Sequence, residues 1–490
     1  MYPSPIYDCY SFNNKAFNEV IPVSQLSLYR FYPLMTQRVV GAYGADPSCT
    51  PPIDRIASQG VTFANAYVGC PLSQPSRAAL WSGLMPHQTN VRSNSAEHIN
   101  PPLPDSIPTL GSLFTANGYE AVHFGKTHDM GSLRGFRHKE PVAKPFTDPE
   151  FPVNNDSFLD VGTCEDAVAY LSNPPQEPFI CIADFQNPHN ICGYVGENKG
   201  EHIDSPISTP LPLLPENFEV EDWEKLPLPI QYICCSHRRM MQAAHWNEDN
   251  YRHYVAAFQH YTRIVARQIE SVLEALYSTP AGKNTIVIVL ADHGDGMGSH
   301  RMVTKQVSFY EEMTNVPFII AGPGIHPRQK PVEDLLTQPT IDLLPTLCEL
   351  AGIPVPSSKP GISLAPFLKG EKQKRQHPYA ASEWHSEYEV TVSPGRMIRS
   401  PRYKYTHYLE GNGEELYDML KDKGERRNLA HDPKYSKILA EHRALLDDYI
   451  RRTQDDYRSL KVEADKRWRS HAPGYPNHEG PCARDIINRK

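Results

Sequence analysis

Histidine-containing polar clusters follow three apolar, β-type runs of this chain. The runs 120–124, 179–184 and 285–291 continue into Gly125-Lys126-Thr127-His128, Gln186-Asn187-Pro188-His189 and Asp292-His293-Gly294-Asp295. One such cluster would indicate no more than an ordinary loop histidine. Because ligands of open α/β sheets bind beyond the carboxyl ends of the strands, three clusters in one chain predict a common site.

The residue types in these clusters suit the hydrolysis of an anionic ester. Asp292 and His293 offer a carboxylate and an imidazole side by side, which is a pairing for a divalent cation. Positive charge and exchangeable protons would come from Lys126, His128, His189, His300 and Lys305. Such groups stabilise a developing anion and protonate a leaving oxygen as its bond breaks.

The elements that must position these residues alternate between strands and helices from about residue 60 to 350. The predicted strands are 120–124, 179–184, 285–291 and 316–321, and the predicted helices are 75–82, 251–277 and 340–351. The unbroken Ile/Val/Leu run 286–290 is typical of a strand buried on both faces. The pattern predicts an α/β fold with a large, mainly parallel sheet sandwiched by helices.

The two ends of the chain differ from this central pattern. Beyond a charged connector at 369–375, the stretch 396–408 alternates and a polar helix spans 435–457, which predicts a smaller C-terminal antiparallel β-plus-helix subdomain. At the other end, Tyr29-Arg30-Phe31-Tyr32-Pro33 interrupts any buried apolar run, so no core strand is expected there. We therefore predict an atypical segment over 1–36, a catalytic domain over 37–370, a subdomain over 376–460 and a polar tail over 461–490.

Composition excludes several classes of protein. Of 490 residues, 40% are hydrophobic and 22% charged, which is the composition of a globular chain rather than a disordered or fibrous one. The net charge of −8 argues against a broad nucleic-acid surface. The longest apolar run is about seven residues, too short for a membrane span. The start Met1-Tyr2-Pro3-Ser4-Pro5 lacks the features of a signal peptide, and the cysteine pattern predicts no disulfide framework.

The most specific segment is Ser73-Gln74-Pro75-Ser76-Arg77, followed by Ser82-Gly83. Read locally, it predicts a proline-initiated helix capped by Ser73. It also closely resembles the signature of the formylglycine-dependent (type I) sulfatases of the alkaline phosphatase superfamily, and its serine resembles the bacterial branch. Further similarities extend over residues 39–430 and include Thr50-Pro51-Pro52-Ile53-Asp54-Arg55, Lys126-x-His128, Pro188-His189, and Asp292-His293-Gly294 with His300 and Lys305.

The resemblance implies a sulfuric ester hydrolase that releases inorganic sulfate. Ser73 would be oxidised by a maturase to formylglycine (3-oxoalanine), and one oxygen of its hydrate would be held by a divalent cation, usually calcium, at Asp292 and His293. The other catalytic positions would be Arg77 and Lys126 on the hydrate, His128 for expulsion of sulfate, and Lys305 and His189 for binding sulfate and protonating the leaving oxygen.

The resemblance also implies a substrate class. The stretches Asn187–Cys192 and Glu383-Trp384-His385 are similar to those of bacterial polysaccharide-degrading members, which implies a sulfated carbohydrate. The residues that would bind it are His300, Glu383, Trp384, His385 and Arg396. A periplasmic or secreted location would be compatible with this family.

One part of the family pattern is missing. The first strand of these enzymes normally ends in a pair of metal ligands, yet no Asp or Glu occurs here between Glu19 and Asp46, and only Gln37-Arg38 is similar to the pattern. We therefore expect weak metal binding and weakened activity. Two alternatives stay open: a catalytically impaired relative that binds sulfated glycans, and a phosphonate or phosphate ester hydrolase of the same superfamily.

Overall fold

The computed structural model describes residues 25–30, 34–94, 101–146, 155–199, 210–219, 225–231, 238–305, 308–373, 376–385 and 394–460. The predicted tail 461–490 lies outside these residues. The strands are β1 Gln25–Arg30, β2 Gly60–Thr62, β3 Glu120–Gly125, β4 Arg137–Lys139, β5 Phe179–Asp184, β6 Thr285–Leu290, β7 Phe318–Ala321, β8 Ala380–Trp384, β9 Gly395–Arg399, β10 Tyr403–Tyr408 and β11 Gly413–Asp418.

The described helices range from single turns to one of 30 residues. They are α1 Pro51–Ser58, α2 Ser73–Ser82, α3 Pro86–Thr89, α4 Leu110–Ala116, α5 Asn155–Ser172, α6 Ile191–Glu197, α7 Arg238–Gln242, α8 Glu248–Tyr277, α9 Glu311–Thr314, α10 Pro339–Leu350, α11 Ala365–Leu368 and α12 Ser436–Thr453. Within the part of the chain that the structure describes, no helix has the length and apolar character needed to cross a membrane.

The larger sheet has seven strands in the order β2-β7-β6-β1-β5-β3-β4. The run from β6 to β4 is parallel, while β7 pairs antiparallel with both β6 and β2. β5 and β6 are buried along their whole length, as strands covered by helices on both faces should be. The prediction of a large, mainly parallel sheet sandwiched by helices is confirmed.

The position of β1 corrects the expectation that the first 36 residues contain no core strand. β1 pairs in parallel with β5 on one side and β6 on the other, so it lies inside the sheet. Pro33 follows the strand in sequence and does not interrupt it. Backbone pairing with two neighbours defines this strand, although its sequence Gln-Leu-Ser-Leu-Tyr-Arg carries no long apolar run.

The smaller sheet is antiparallel, with the strand order β11-β10-β9-β8. The alternating stretch 396–408 forms two of its strands, β9 and β10, which are joined by a tight turn in which Ser400 N donates to Tyr403 O at 2.9 Å. One face packs with α12 through Ile398, Tyr405, Leu416 and Leu446. The other packs toward the start of α2 through Trp384, Met397, Tyr408, Cys70 and Leu72. The predicted C-terminal antiparallel sheet with a helix is confirmed, whereas the predicted domain boundaries stay predictions.

Buried ion pairs join the smaller sheet to the rest of the molecule. Glu383 of β8 accepts from the backbone N–H of His87 at 2.9 Å and lies 2.6 Å from the Nδ1 atom of the same histidine. The hydroxyl of Tyr449 on α12 donates to the same carboxylate. These contacts tie β8 to α3 and α12, because an unpaired charge at this depth would be strongly destabilising.

The Glu383–His87 pair predicts a bell-shaped pH dependence of stability. Burial alone would raise the pKa of Glu383, but His87 and Arg396 outweigh it and lower that pKa to about 2. Burial alone would lower the pKa of His87, but Glu383 outweighs it and the pKa is raised. The contribution of Glu383 is therefore lost as the pH falls from about 4.3 toward 2, and that of His87 is present below about 6.5 and lost as the pH rises through its raised pKa.

We accordingly expect Glu383→Gln to lower the free energy of unfolding by about 3–5 kcal/mol near pH 5.5, because it breaks a buried ion pair. The deficit should shrink toward pH 3 and toward alkaline pH. Denaturant unfolding across this pH range measures it, with Glu441→Gln at an exposed position of α12 as the matched control. A deficit that is the same at every pH would contradict the assignment.

Candidate active site

Ser73 lies at the start of α2, fully buried beneath the loops at the carboxyl edge of the large sheet. The expectation that Ser73 caps this helix is wrong by one residue: Leu72 stands at the N-cap position, and Ser73 is the first helical residue. The hydroxyl of Ser73 is consequently not used as a cap. Its Oγ lies 2.8 Å from Nε2 of His293, so it faces the predicted chemistry.

Arg77 lies one turn further along α2 and is also fully buried. Its Nε donates to Asp292 at 3.0 Å, and its Nη1 and Nη2 donate to the two carboxylate oxygens of Asp184 at 2.6 and 2.9 Å. Nη1 also donates to the carbonyl oxygens of Lys126 and Thr127, at 3.0 and 3.1 Å. One guanidinium therefore connects α2 to the carboxyl ends of β3, β5 and β6.

Gly125 brings the Lys126–His128 segment to this point. Its φ of +99° is in the left-handed region, and a Cβ atom here would lie 2.1 Å from the carbonyl oxygen of Asp184, so a residue other than glycine would collide. The turn allows Lys126 N to donate to that carbonyl at 2.9 Å. The end of β3 is thereby attached to the end of β5.

Asp292 and His293 follow β6 and adopt a defined hydrogen-bonded state. Asp292 accepts from the backbone N–H of His293 at 3.0 Å, and its carbonyl accepts from Ser76 Oγ at 2.5 Å. Nδ1 of His293 lies 3.0 Å from the carbonyl of Gly294, so it carries the proton and Nε2 accepts from Ser73. Burial outweighs the nearby Asp292 and lowers the pKa of His293 to about 4, so the ring is neutral near pH 7.

His189 and Lys305 form a second pair at this edge. Nζ of Lys305 lies 3.0 Å from Nε2 of His189, which must accept if the ammonium donates. Burial, together with the charges of Lys305 and Lys126, lowers the pKa of His189 well below its ordinary value. The loop that carries His189 is held by α5, where Asp160 accepts from Asn187 N at 2.8 Å.

The electrostatics of the site favour an anionic ligand. Lys126, Lys305 and Arg77 contribute three positive charges, and the carboxylates of Asp184 and Asp292 contribute two negative ones. Desolvation and the three cations lower the pKa of His128 to about 3. The histidines of the site are therefore neutral at pH 7, and the excess charge on the cations is available to a sulfate-like group.

The described residues do not fit a complete calcium site. Calcium takes six to eight oxygen ligands. Both carboxylate oxygens of Asp184 already bond Arg77, so Asp292 is the one carboxylate of the described cluster that could bind a cation. The carboxyl end of β1 reaches this edge, yet the chain has no Asp or Glu between residues 19 and 46. The amide nitrogen of Gln37 bonds Ala64 O, Asn315 Oδ1 and Val316 O instead.

His300 lies in a different network from the one predicted. Its ring stacks on Tyr310 with centroids 4.0 Å apart, and its Nε2 lies 3.2 Å from the amide nitrogen of Asn217. The same amide donates to Glu312, which pairs with Arg38. None of the contacts described for His300 is with Ser73 or its neighbours, and the substrate-binding role of His300 stays a prediction.

The other four residues predicted to bind substrate lie around one pocket. Arg396 is committed to the pocket wall, since it donates to both oxygens of Asp455 at 2.7 and 2.9 Å. Asn94, two residues after Arg92 of the pocket lining, accepts from Gln74 N at 2.8 Å. This side of the pocket therefore lies next to the turn that carries Ser73. The lining includes Cys70, His87, Arg92, Glu383, Trp384, His385 and Arg396.

The sequence analysis missed Asp184, His87 and Arg92. The signal for Asp184 was available, because it is the last residue of a predicted strand and immediately precedes the segment that leads to His189. His87 and Arg92 lie in loops and a single helical turn after α2. No pattern in the sequence connects them to Glu383, which is 296 residues from His87.

Two models of known protein families match most of this chain. The sulfatase family model matches residues 35–353, and the model for the C-terminal part of N-sulphoglucosamine sulphohydrolase matches 298–452. A Delta 4,5-hexuronate-2-O-sulfatase of Bacteroides thetaiotaomicron is 78% identical over 456 residues, which cover 93% of this chain and 95% of that protein.

Solved structures of related proteins have the same fold as this chain. The structure of a 2-O GAG sulfatase matches with a TM-score of 0.90 and 77% identity, and the match covers 94% of this chain and 99% of that one. A phosphonate monoester hydrolase of Agrobacterium radiobacter, at 21% identity and a TM-score of 0.72 over 89% of this chain and 97% of its own, shares the fold. The chain therefore belongs to the sulfatase family and is a sulfuric ester hydrolase.

Proposed function

We propose that this sulfatase removes the 2-O-sulfate of a hexuronate-containing sugar derived from glycosaminoglycans, with formylglycine made from Ser73 as its nucleophile. The observation that carries the proposal is the buried cluster in which Ser73 faces His293 and Arg77 spans Asp184 and Asp292. The sugar is inferred from the 2-O-sulfatase of Bacteroides thetaiotaomicron, because 78% identity over most of both chains supports a shared substrate class.

The residue at position 73 needs activation. A serine hydroxyl is a weak nucleophile, and a neutral His293 with a pKa of about 4 is a poor base for it. Oxidation by a maturase to formylglycine would supply a hydrated aldehyde, whose oxygen is a better nucleophile and allows sulfate to be released afterwards. Burial of Ser73 keeps bulk water away from that reactive group.

The surrounding residues would divide the remaining work. Arg77 and Lys126 stabilise the negative charge that develops near residue 73, and Lys305 binds the sulfate group. His128 is neutral at pH 7, so a ring nitrogen would be free of a second proton and could accept a hydrogen bond from the hydroxyl of the sulfated hydrate as sulfate is expelled. His189 is placed by Lys305 at 3.0 Å, so the two together can deliver a proton to the leaving sugar oxygen.

The residues that line the pocket beside the Ser73 turn are proposed to form one wall of the region that binds the sugar. Glu383, Trp384, His385 and Arg396 surround the pocket, and burial with the charges of Arg92 and Arg396 lowers the pKa of His385 to about 4. Because Glu383 and Arg396 are engaged in buried ion pairs, they define the shape of the pocket.

A screen of desulfation across defined sulfated saccharides tests the substrate. Protein co-expressed with a serine-type maturase should release sulfate from a 2-O-sulfated unsaturated hexuronate disaccharide at least tenfold faster than from 4-O- or 6-O-sulfated hexosamines. An aryl phosphonate serves as the control ester. Equal turnover at every position, or faster phosphonate cleavage, would contradict the proposal.

Calcium dependence belongs in the same screen. Asp292 and His293 would hold the cation, and the described ligands imply weak binding, in the range of about 10⁻⁴–10⁻³ M that sparse sites show. Desulfation should therefore respond to added calcium at about millimolar and not at micromolar concentrations. Calorimetric binding in the micromolar range would show that further ligands complete the site.

Oxidation of Ser73 is expected to be necessary for activity. Mass spectrometry of the tryptic peptide that spans residues 56–77 should show a form lighter by two hydrogens, and activity should scale with the fraction of that form. Ser73→Ala, which cannot be oxidised, is the matched variant and should be inactive. Full turnover by protein whose Ser73 is entirely unmodified would refute the nucleophile.

Replacement of His189 by Asn should affect poor leaving groups most. A sugar alcohol needs the proton that His189 helps to deliver, so the loss in kcat should be about 10²–10⁴-fold for a sugar sulfate and much smaller for an activated phenyl sulfate. The exposed His431→Gln is the control and should behave as the parent enzyme. Equal losses on both esters would reassign His189 to sulfate binding.

A further inference from the structure

Asp184 has a contact pattern that the catalytic roles described above do not explain. It is fully buried at the end of β5, and each of its carboxylate oxygens accepts from a different terminal nitrogen of Arg77, at 2.6 and 2.9 Å. Paired parallel bonds of this kind fix the plane of a guanidinium as well as its position. Asp292, in contrast, bonds Arg77 through one oxygen and uses the other for His293 N.

The donors of Arg77 are almost fully used by these contacts. Nε donates to Asp292, the two hydrogens of Nη1 are shared among Asp184 and the carbonyls of Lys126 and Thr127, and Nη2 donates once to Asp184. A guanidinium has five N–H donors. One N–H of Nη2 is left over among the described contacts, and its direction is set by the plane that Asp184 imposes.

Two histidines stand behind Asp184. His123 on β3 and His138 on β4 are directly paired in the parallel register, and their Nδ1 atoms lie 2.9 Å apart. Nε2 of His123 lies 3.6 Å from Oδ2 of Asp184, and Nε2 of His138 lies 3.0 Å from Glu140. One of the two Nδ1 atoms must donate and the other accept. The 3.0 Å contact of His138 Nε2 with Glu140 favours a proton on that nitrogen, so in neutral rings Nδ1 of His123 donates and Nε2 of His123 carries no proton toward the carboxylate.

We propose that Asp184 is a positioning residue that orients the Arg77 guanidinium toward the oxygen of residue 73, with the ring of His123 packed behind its carboxylate. The inference rests on the proposed function, in which Arg77 stabilises charge at residue 73. Without Asp184, Arg77 would keep Nε on Asp292 and Nη1 on the carbonyls of Lys126 and Thr127, but Nη2 would lose the one partner described for it. The bidentate partner fixes Nη2, so the remaining N–H is preorganised for the transition state.

A double-mutant cycle between Asp184→Asn and Arg77→Lys tests the proposal. Asp184→Asn should lower kcat by about 10- to 100-fold while KM changes by less than about threefold, because the lost interaction acts in the transition state. In the Arg77→Lys background, Asp184→Asn should cause less than about a threefold further loss, since the group that it positions is gone. Formylglycine content of the peptide 56–77 should be unchanged in every variant.

Asp418→Asn is the matched control. Asp418 is also buried and accepts from Arg402 through both oxygens, at 2.7–3.2 Å, but it is the last residue of β11 in the small sheet. Its replacement should leave kcat and KM unchanged. Asp184→Glu, which keeps the charge but displaces the carboxylate by one methylene, should lower kcat in the same direction by about 3- to 10-fold, and it carries the test if Asp184→Asn does not fold.

The outcomes separate this inference from the proposed function. Losses that multiply in the double variant, a loss confined to KM, or full kcat in Asp184→Asn or in a folded Asp184→Glu would each overturn the positioning role. If Arg77→Lys itself keeps full activity, the proposed role of Arg77 fails, and the positioning role fails with it. A strong loss in Arg77→Lys with no loss in Asp184→Asn leaves the proposed function standing and rejects Asp184 alone.

Discussion

The active site depends on one buried charge, the guanidinium of Arg77 between the carboxylates of Asp184 and Asp292. Removing an arginine from water is so unfavourable that it requires close, well-oriented partners. Here burial alone would lower the pKa of Arg77, but the two carboxylates outweigh it and raise that pKa above its ordinary value. The cation is therefore permanent, and α2 is held in a single position relative to the sheet.

The protonation of the other residues in the site depends on the same cluster of charges around Arg77. The strand ends that meet at Arg77 carry Lys126, His189 and His293 into a common space, where positive charges outnumber negative ones. In that space the imidazoles are neutral, so each histidine offers one N–H donor and one acceptor nitrogen. The lysines and Arg77 then provide the stable positive charge that an oxyanion requires.

The small antiparallel sheet completes the site from the other side. Its strand β8 carries Glu383 to His87, and its inner face packs against Cys70 and Leu72, which lead directly into Ser73. The turn that carries Ser73 is thus packed between the two sheets. The buried ion pairs Glu383–His87 and Arg396–Asp455 fix the position of the pocket wall relative to residue 73. The shape of the pocket wall and the position of residue 73 are consequently coupled through packing.

The sequence by itself determined the fold class and the sulfatase family. Uninterrupted apolar runs such as 179–183 and 286–290 are sufficient to predict buried strands. The Ser73–Arg77 motif with Asp292-His293 predicts the sulfatase family because both are local in sequence. Only the tertiary structure decided the rest. β1 has a weak local pattern and is defined by pairing with β5 and β6. Asp184 meets Arg77 across 107 residues, and Lys305 meets His189 across 116. His300 was assigned to the substrate from its sequence neighbours, yet its ring is held by Tyr310 and Asn217. Contacts of this range depend on how strands are ordered in the sheet, and a local pattern contains no information on that order.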